Sequence, residues 1–216
     1  MAFRQWRKIK DSPYFAPIES SVGLNNYLKL TRAGRTNALG SSLVPMRVPF
    51  LQQIAHDELL VRFALANEKA GHINTALPES YLKASPYDFL NAFNGLQKKI
   101  PDLYCSLNVG DKKIRVAMEY ERTRKTQSRY RSILMSYAAF KDAELVLFIV
   151  NDEAIEKTIR GTAAKIGYPV KNKPLAFAYA NDVEKRPSEF PLRLQNRTIE
   201  FHKFVQELRD IRGETA

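Results

Sequence analysis

Four side chains in the middle of the chain have the types and spacing to act on a phosphate. Asp102 follows Pro101 at the start of an apolar run. Glu119 and Glu121 stand two apart near the end of a second strand-like run, and Lys125 lies four residues further on. Side chains alternate across a strand, so two glutamates in positions i and i+2 project to one side. Carboxylate oxygens are the preferred protein ligands of Mg²⁺ or Mn²⁺. Such an ion orients water and stabilises the charge that develops at a scissile phosphate. Asp102, Glu119 and Glu121 are therefore the candidate metal ligands and catalytic carboxylates, with Lys125 as a catalytic electrostatic partner. The alternative is that Glu119 and Glu121 are strand-end carboxylates paired with Arg115, Arg122 or Arg124, an arrangement of little energetic value at a surface.

The elements that must position these residues are legible from periodicity. Leu103–Val109 and Lys112–Glu121 read as a hairpin turning at Gly110-Asp111. Ile114, Val116, Met118 and Tyr120 fall on one face, and Arg115, Ala117, Glu119 and Glu121 on the other. Thr123 or Thr126 is placed to cap the next helix, whose apolar stripe is Ile133, Leu134, Tyr137 and Ala138. Leu145–Val150 is an unbroken apolar run of the kind buried on both faces of a sheet. Asp152-Glu153 open a helix through Lys165, Leu175–Ala180 reads as a strand, and Phe201, Phe204, Val205 and Leu208 give the last helix its apolar face. Upstream, the pattern predicts a helix from Phe50 to Lys69 stopped by Gly71, a short helix after Pro78, and another opened by Ser85-Pro86. In the first of these, Asp57 and Glu58 suit the helix dipole, with Glu58 a further ligand candidate, and His56 reads as structural in preference to a ligand. The order of elements favours an α/β (α+β) fold: a mixed central sheet flanked by helices, with a parallel crossover after the hairpin.

Bulk composition narrows the partners. The chain has 216 residues, 34 Lys+Arg against 23 Asp+Glu, and a formal net charge of +11. That excess favours nucleic acid first and an anionic membrane second. Much of it lies in residues 1–48, where Arg4, Arg7, Lys8, Lys10, Lys29, Arg32, Arg35 and Arg47 face only Asp11 and Glu19. Lys29, Arg32 and Arg35 follow an alternating strand pattern into a turn, an arrangement suited to a phosphate backbone. Arg122, Arg124, Arg129 and Arg131 make a second basic group beside the carboxylates. The domain division read here is a basic arm over 1–48 and an α/β domain over 49–216. Cys105, the only cysteine, lies in an apolar run and reads as a buried thiol. No stretch approaches the roughly 20 apolar residues of a membrane span, and a cytoplasmic protein without membrane partners is expected.

Pro101-Asp102 before a hairpin and Glu119-Tyr120-Glu121 ending its second strand resemble the PD-(D/E)XK nuclease superfamily. That resemblance implies a restriction-endonuclease-like core, a Mg²⁺ (or Mn²⁺) cofactor, and Asp102 and Glu119 as metal ligands. Glu121 falls where the family's lysine normally sits, a departure similar to the Glu-x-Glu form of some restriction endonucleases. Lys125 matches the members in which the lysine has migrated to a nearby helix. Tyr27-Leu28-Lys29-Leu30-Thr31-Arg32-Ala33-Gly34 looks like the wing of a winged-helix domain. Together with Ala55–Leu59, Glu119–Lys125, Tyr130 and Tyr137, it resembles the replication-relaxation family of plasmids and other mobile elements, with a winged-helix remnant in the arm. The resemblance implies a DNA endonuclease in mobile-element or plasmid DNA processing. Its alternative is a non-cleaving DNA-binding accessory or regulator of plasmid replication or conjugative transfer. The partner the resemblance implies is DNA, with a homodimer expected if the half-sites are paired, or a mobile-element protein as a further partner.

Overall fold

A computed structural model describes residues 15–17, 28–30, 51–84, 99–110, 112–168 and 173–213. The chain divides into two compact units, 1–53 and 54–216. In the first, β1 (Phe15–Pro17) pairs antiparallel with β2 (Leu28–Leu30). Lys29 lies in β2 opposite Ala16, while Arg32 and Arg35 lie outside the described residues.

The second unit is built on a mixed seven-stranded sheet. Helix α1 (Leu51–Lys69) leads into β3 (Ile73–Pro78), α2 (Glu79–Ala84), β4 (Leu103–Val109) and β5 (Lys112–Glu121). Then follow α3 (Gln127–Ala139), β6 (Leu145–Val150), α4 (Glu153–Lys165), β7 (Leu175–Tyr179), α5 (Ala180–Lys185), β8 (Pro191–Arg193), β9 (Thr198–Glu200) and α6 (Phe201–Gly213). The strands lie in the order β3-β4-β5-β6-β7-β8-β9. Neighbours are antiparallel except β5/β6 and β6/β7, which are parallel. The fold class is therefore α/β with a mixed sheet and flanking helices. Parallel neighbours need a crossover, and α3 and α4 supply the two here.

Strand β6 shows how the two cores form. Leu145, Leu147 and Ile149 point into one, with Leu59, Leu60 and Phe63 of α1 and Phe201, Phe204 and Val205 of α6. Val146, Phe148 and Val150 point into the other, with Tyr130, Ile133, Leu134 and Tyr137 of α3 and Ile155 and Ile159 of α4. Both faces are covered, so the run has no polar face to show. In β5, Ile114, Val116, Met118 and Tyr120 join the first core and Ala117 the second. That fixes the side from which Glu119 and Glu121 project.

Helix ends are set locally. Thr126 caps α3, its hydroxyl accepting from the Arg129 N–H, and Asp152 caps α4 by accepting from Ile155 N–H at 2.9 Å. Gly110 turns the β4–β5 hairpin at φ +58, a left-handed conformation that favours glycine. At the other end of α3, the buried Lys173 ammonium donates to the carbonyls of Tyr137 and Phe140, satisfying acceptors that a helix C-terminus leaves open. Glu156 of α4 is held by Arg160 at 2.7 Å. Arg193 Nε lies 3.1 Å from its other oxygen, at an angle that makes an ion pair but no hydrogen bond. Arg160 also donates to the carbonyls of Arg193 and Leu194, fastening the end of β8 to α4.

Several local expectations change. Ile73–Pro78 is a strand, and the short runs Pro191–Arg193 and Thr198–Glu200 extend the sheet beyond β7. Ala180 begins α5 and does not end β7. Helix α1 starts and ends close to where expected, but its first turn holds no acidic residue, and Asp57 and Glu58 lie beyond it. The helix expected after Ser85-Pro86, Asp111 of the expected hairpin turn, and residues 169–172 lie outside the described residues.

Candidate functional site

Asp102 sits immediately before β4, beside the end of β5. Its Oδ2 accepts the Tyr120 backbone N–H at 2.9 Å and a hydrogen bond from His56 Nε2 at 3.1 Å. This ties α1, the approach to β4 and the end of β5 together at one carboxylate. The His56 ring stacks on Tyr120, centroids 5.2 Å apart, and its Nδ1 lies 3.0 Å from Asp57 Oδ1. Burial opposes protonation of His56, but the bonds to Asp102 and Asp57 outweigh it and raise the pKa to about 9. The ring is thus an imidazolium at neutral pH.

Glu119 is 1% exposed and faces the α3 side of the sheet. Its Oε1 accepts from the Tyr137 hydroxyl and from Lys99 Nζ, the latter at 2.9 Å. The same ammonium lies 2.8 Å from the Ile100 carbonyl and 3.4 Å from Asp102 Oδ1. Lys99 is held at its backbone as well, its N–H donating to Ser136 Oγ of α3 at 2.8 Å. Desolvation first, then the Asp102 charge, push the Glu119 carboxyl up to about 8, against the pull of Lys99 and Tyr137. Asp102 is displaced the other way. Burial opposes its ionisation, yet His56, Lys99 and the Tyr120 N–H hold it below the ordinary aspartate value. Two neighbouring carboxyls with opposite displacements are a feature that active sites share with structural ion-pair networks.

Glu121, 2% exposed, is given a different partner. Its Oε1 is 2.6 Å from Lys125 Nζ. Lys125 lies two residues before α3, not in its first turn, and its N–H donates to the Tyr130 hydroxyl. Among the described residues no group of three His, Cys, Asp or Glu side chains is arranged to hold a metal ion. The expected set of Asp102, Glu119 and Glu121 is thus not assembled around one centre; Asp102 and Glu119 share Lys99, and Glu121 has Lys125. The donor chemistry of the remaining pair still fits Mg²⁺ or Mn²⁺, which are commonly held by one or two carboxylates with water and phosphate oxygens completing the shell. The Lys99 ammonium, seated among three oxygens, stands in for a cation there.

Arg124, Arg129 and Arg131 are exposed and Arg122 is half-buried, in the segment running from Glu121 into α3. Arg115, expected as a partner for Glu119 or Glu121, pairs with Asp142 and Glu144. Glu58 pairs with Arg62 one turn along α1 at 2.6 Å. Lys99 was not singled out by the sequence, although it lies three residues before Asp102 with Pro101 restricting the chain between them. His56 reads from sequence as structural in preference to a ligand, and its bond to Asp102 spans 46 positions.

No family model, no curated protein and no solved structure matches this chain. Among the described residues no helix is long and apolar enough to cross a membrane.

Proposed function

We propose that this is a DNA-binding protein on a restriction-endonuclease-like core, acting as a Mg²⁺-dependent DNA endonuclease in mobile-element or plasmid DNA processing. The observation that carries the reading is the meeting of Asp102, from the mouth of β4, with Glu119, near the end of β5, at one ammonium. Mg²⁺ held by these two carboxylates would supply a polarised phosphate oxygen and an activated water. His56 and the Tyr120 N–H hold the Asp102 carboxylate in place and ionised. Tyr137 fixes Glu119 from the α3 side. Arg124, Arg129 and Arg131, with Arg122 behind them, offer cations to the DNA backbone, and the basic residues of the arm, Lys29, Arg32 and Arg35, add to that charge.

A second reading has its own observation. Lys99 and Lys125 already occupy the oxygens of the buried glutamates, at 2.9 Å from Glu119 and 2.6 Å from Glu121, and position 121 carries Glu121 where the family's lysine would stand. A protein so arranged would bind DNA without cutting it, as an accessory or regulator of replication or transfer.

One experiment separates them. Supercoiled plasmid, linear duplex and single-stranded DNA are incubated with the protein in Mg²⁺, Mn²⁺ or EDTA, with Glu119→Gln in parallel. Metal-dependent scission that the variant loses supports the endonuclease. Salt-sensitive binding with no scission on any substrate supports the second reading, and absence of binding at low salt removes both.

A further inference from the structure

The position of Lys99 deepens the metal-site reading, on which this inference rests. An ammonium has three N–H donors, and those of Lys99 are matched by three oxygens: Ile100 O at 2.8 Å, Glu119 Oε1 at 2.9 Å and Asp102 Oδ1 at 3.4 Å. Two of the three belong to the carboxylates that would bind the ion. The lysine backbone is fixed to Ser136, and Pro101 stiffens the link to Asp102. The ammonium is therefore held at the carboxylate pair by the local chain. Its side chain nevertheless keeps 21% of its surface exposed, against 1% for Glu119.

We propose that Lys99 is the resident cation of the Asp102–Glu119 pair, and that a divalent ion enters only by displacing its ammonium. A dication and an ammonium cannot both occupy the space between these carboxylates: they would compete for the same oxygens and repel one another at contact distance. Lys99 thus keeps two closely spaced buried carboxyls compensated until metal arrives, and sets how much metal is needed. The displaced ammonium, on a side chain already 21% exposed, would then be available to pair with a phosphate group.

The test is Mn²⁺ binding to the whole protein without DNA, measured by calorimetry and by the paramagnetic resonance signal of the free ion. Wild type is compared with Lys99→Met and with Lys99→Gln, which keeps a polar end should the methionine variant fold poorly. Removal of the charge is expected to tighten Mn²⁺ binding at least tenfold, and adding Asp102→Asn to either variant is expected to abolish the gain. Affinity unchanged or weakened by loss of the charge, with wild type binding Mn²⁺, overturns the competition and leaves the metal site standing. A gain that survives Asp102→Asn places the new ion elsewhere and also overturns it. No Mn²⁺ binding by any of the proteins removes the metal site and the competition together.

Discussion

The carboxylate of Asp102 and the backbone N–H of Tyr120 lie 2.9 Å apart, across the ends of two adjacent strands. The bond locks the residue before β4 onto β5 between its two glutamates. It also leaves the other lone pairs of Asp102 to His56 and Lys99. Asp102→Asn keeps an acceptor for Tyr120 but removes the counter-charge of both cations. The His56 pKa should fall from about 9 towards its ordinary 6.5, which an NMR titration of the imidazole reads directly. Loss of the charge should also destabilise the fold by about 2 kcal/mol, measured by urea unfolding, because two cations lose a buried partner.

Stability should decline as pH rises from the mildly acidic range to pH 9. His56 titrates at about 9 folded against 6.5 unfolded, so its contribution is complete below 6.5 and lost as pH passes 9. Glu119, raised from 4.5 to about 8, acts in the same direction: the folded protein retains a proton that the unfolded chain releases, so stability drains away between 4.5 and 8. Asp102, held below its ordinary value, works the other way and costs stability only as the solution becomes strongly acid. Urea unfolding at pH 6 and 9 should differ by on the order of 5 kcal/mol, with His56 and Glu119 contributing comparably. Glu119→Gln should flatten the slope below pH 8, and an unaltered slope would sink the assignment.

Lys125→Ala leaves Glu121 buried and without the partner 2.6 Å away. Breaking a buried pair from one side is costlier than its net worth, and about 2 kcal/mol of destabilisation is expected. Lys125→Ala/Glu121→Gln should recover most of it. A double-mutant cycle by thermal or urea unfolding measures that recovery; strict additivity would show that the pair is not coupled.

The exposed arginines should act on DNA affinity through counterion release. Each phosphate contact contributes about 0.9 to the slope of log K against log salt. The triple variant Arg124→Ala/Arg129→Ala/Arg131→Ala should therefore flatten that slope by about 2 to 3 for a duplex, in fluorescence anisotropy titrations between low and physiological salt. A slope equal to wild type would move the DNA contact to other basic residues.

Sequence periodicity is strong where burial is one-sided or complete. The alternation of β5 and the unbroken apolar run of β6 identify those strands and the faces of Glu119 and Glu121, because side-chain direction follows backbone geometry alone. The runs Pro191–Arg193 and Thr198–Glu200 are only three residues long and half exposed, so neither period nor composition marks them. Lys125 and Glu121 are four apart and their pairing was within reach of local reasoning. Lys99 and His56 were not. Lys99 reaches Glu119 across the start of β4 and the whole hairpin, and His56 meets Asp102 only once α1 has packed on the sheet. Such meetings are products of tertiary structure, and a lysine in a basic chain carries no local sign of them.

The sequential order of the seven strands has a consequence for biosynthesis. Each strand from β4 to β9 is laid beside the one made just before it, and none must thread between two already paired. The sheet can therefore grow from one edge as the chain leaves the ribosome, with every addition closing a comparatively short loop. Asp102, Glu119, Glu121 and Lys125 all reside in or beside the first three strands and the turn into α3. Both pairings, Lys99 with Asp102 and Glu119 and Lys125 with Glu121, would then be in place before the far edge of the sheet has been synthesised.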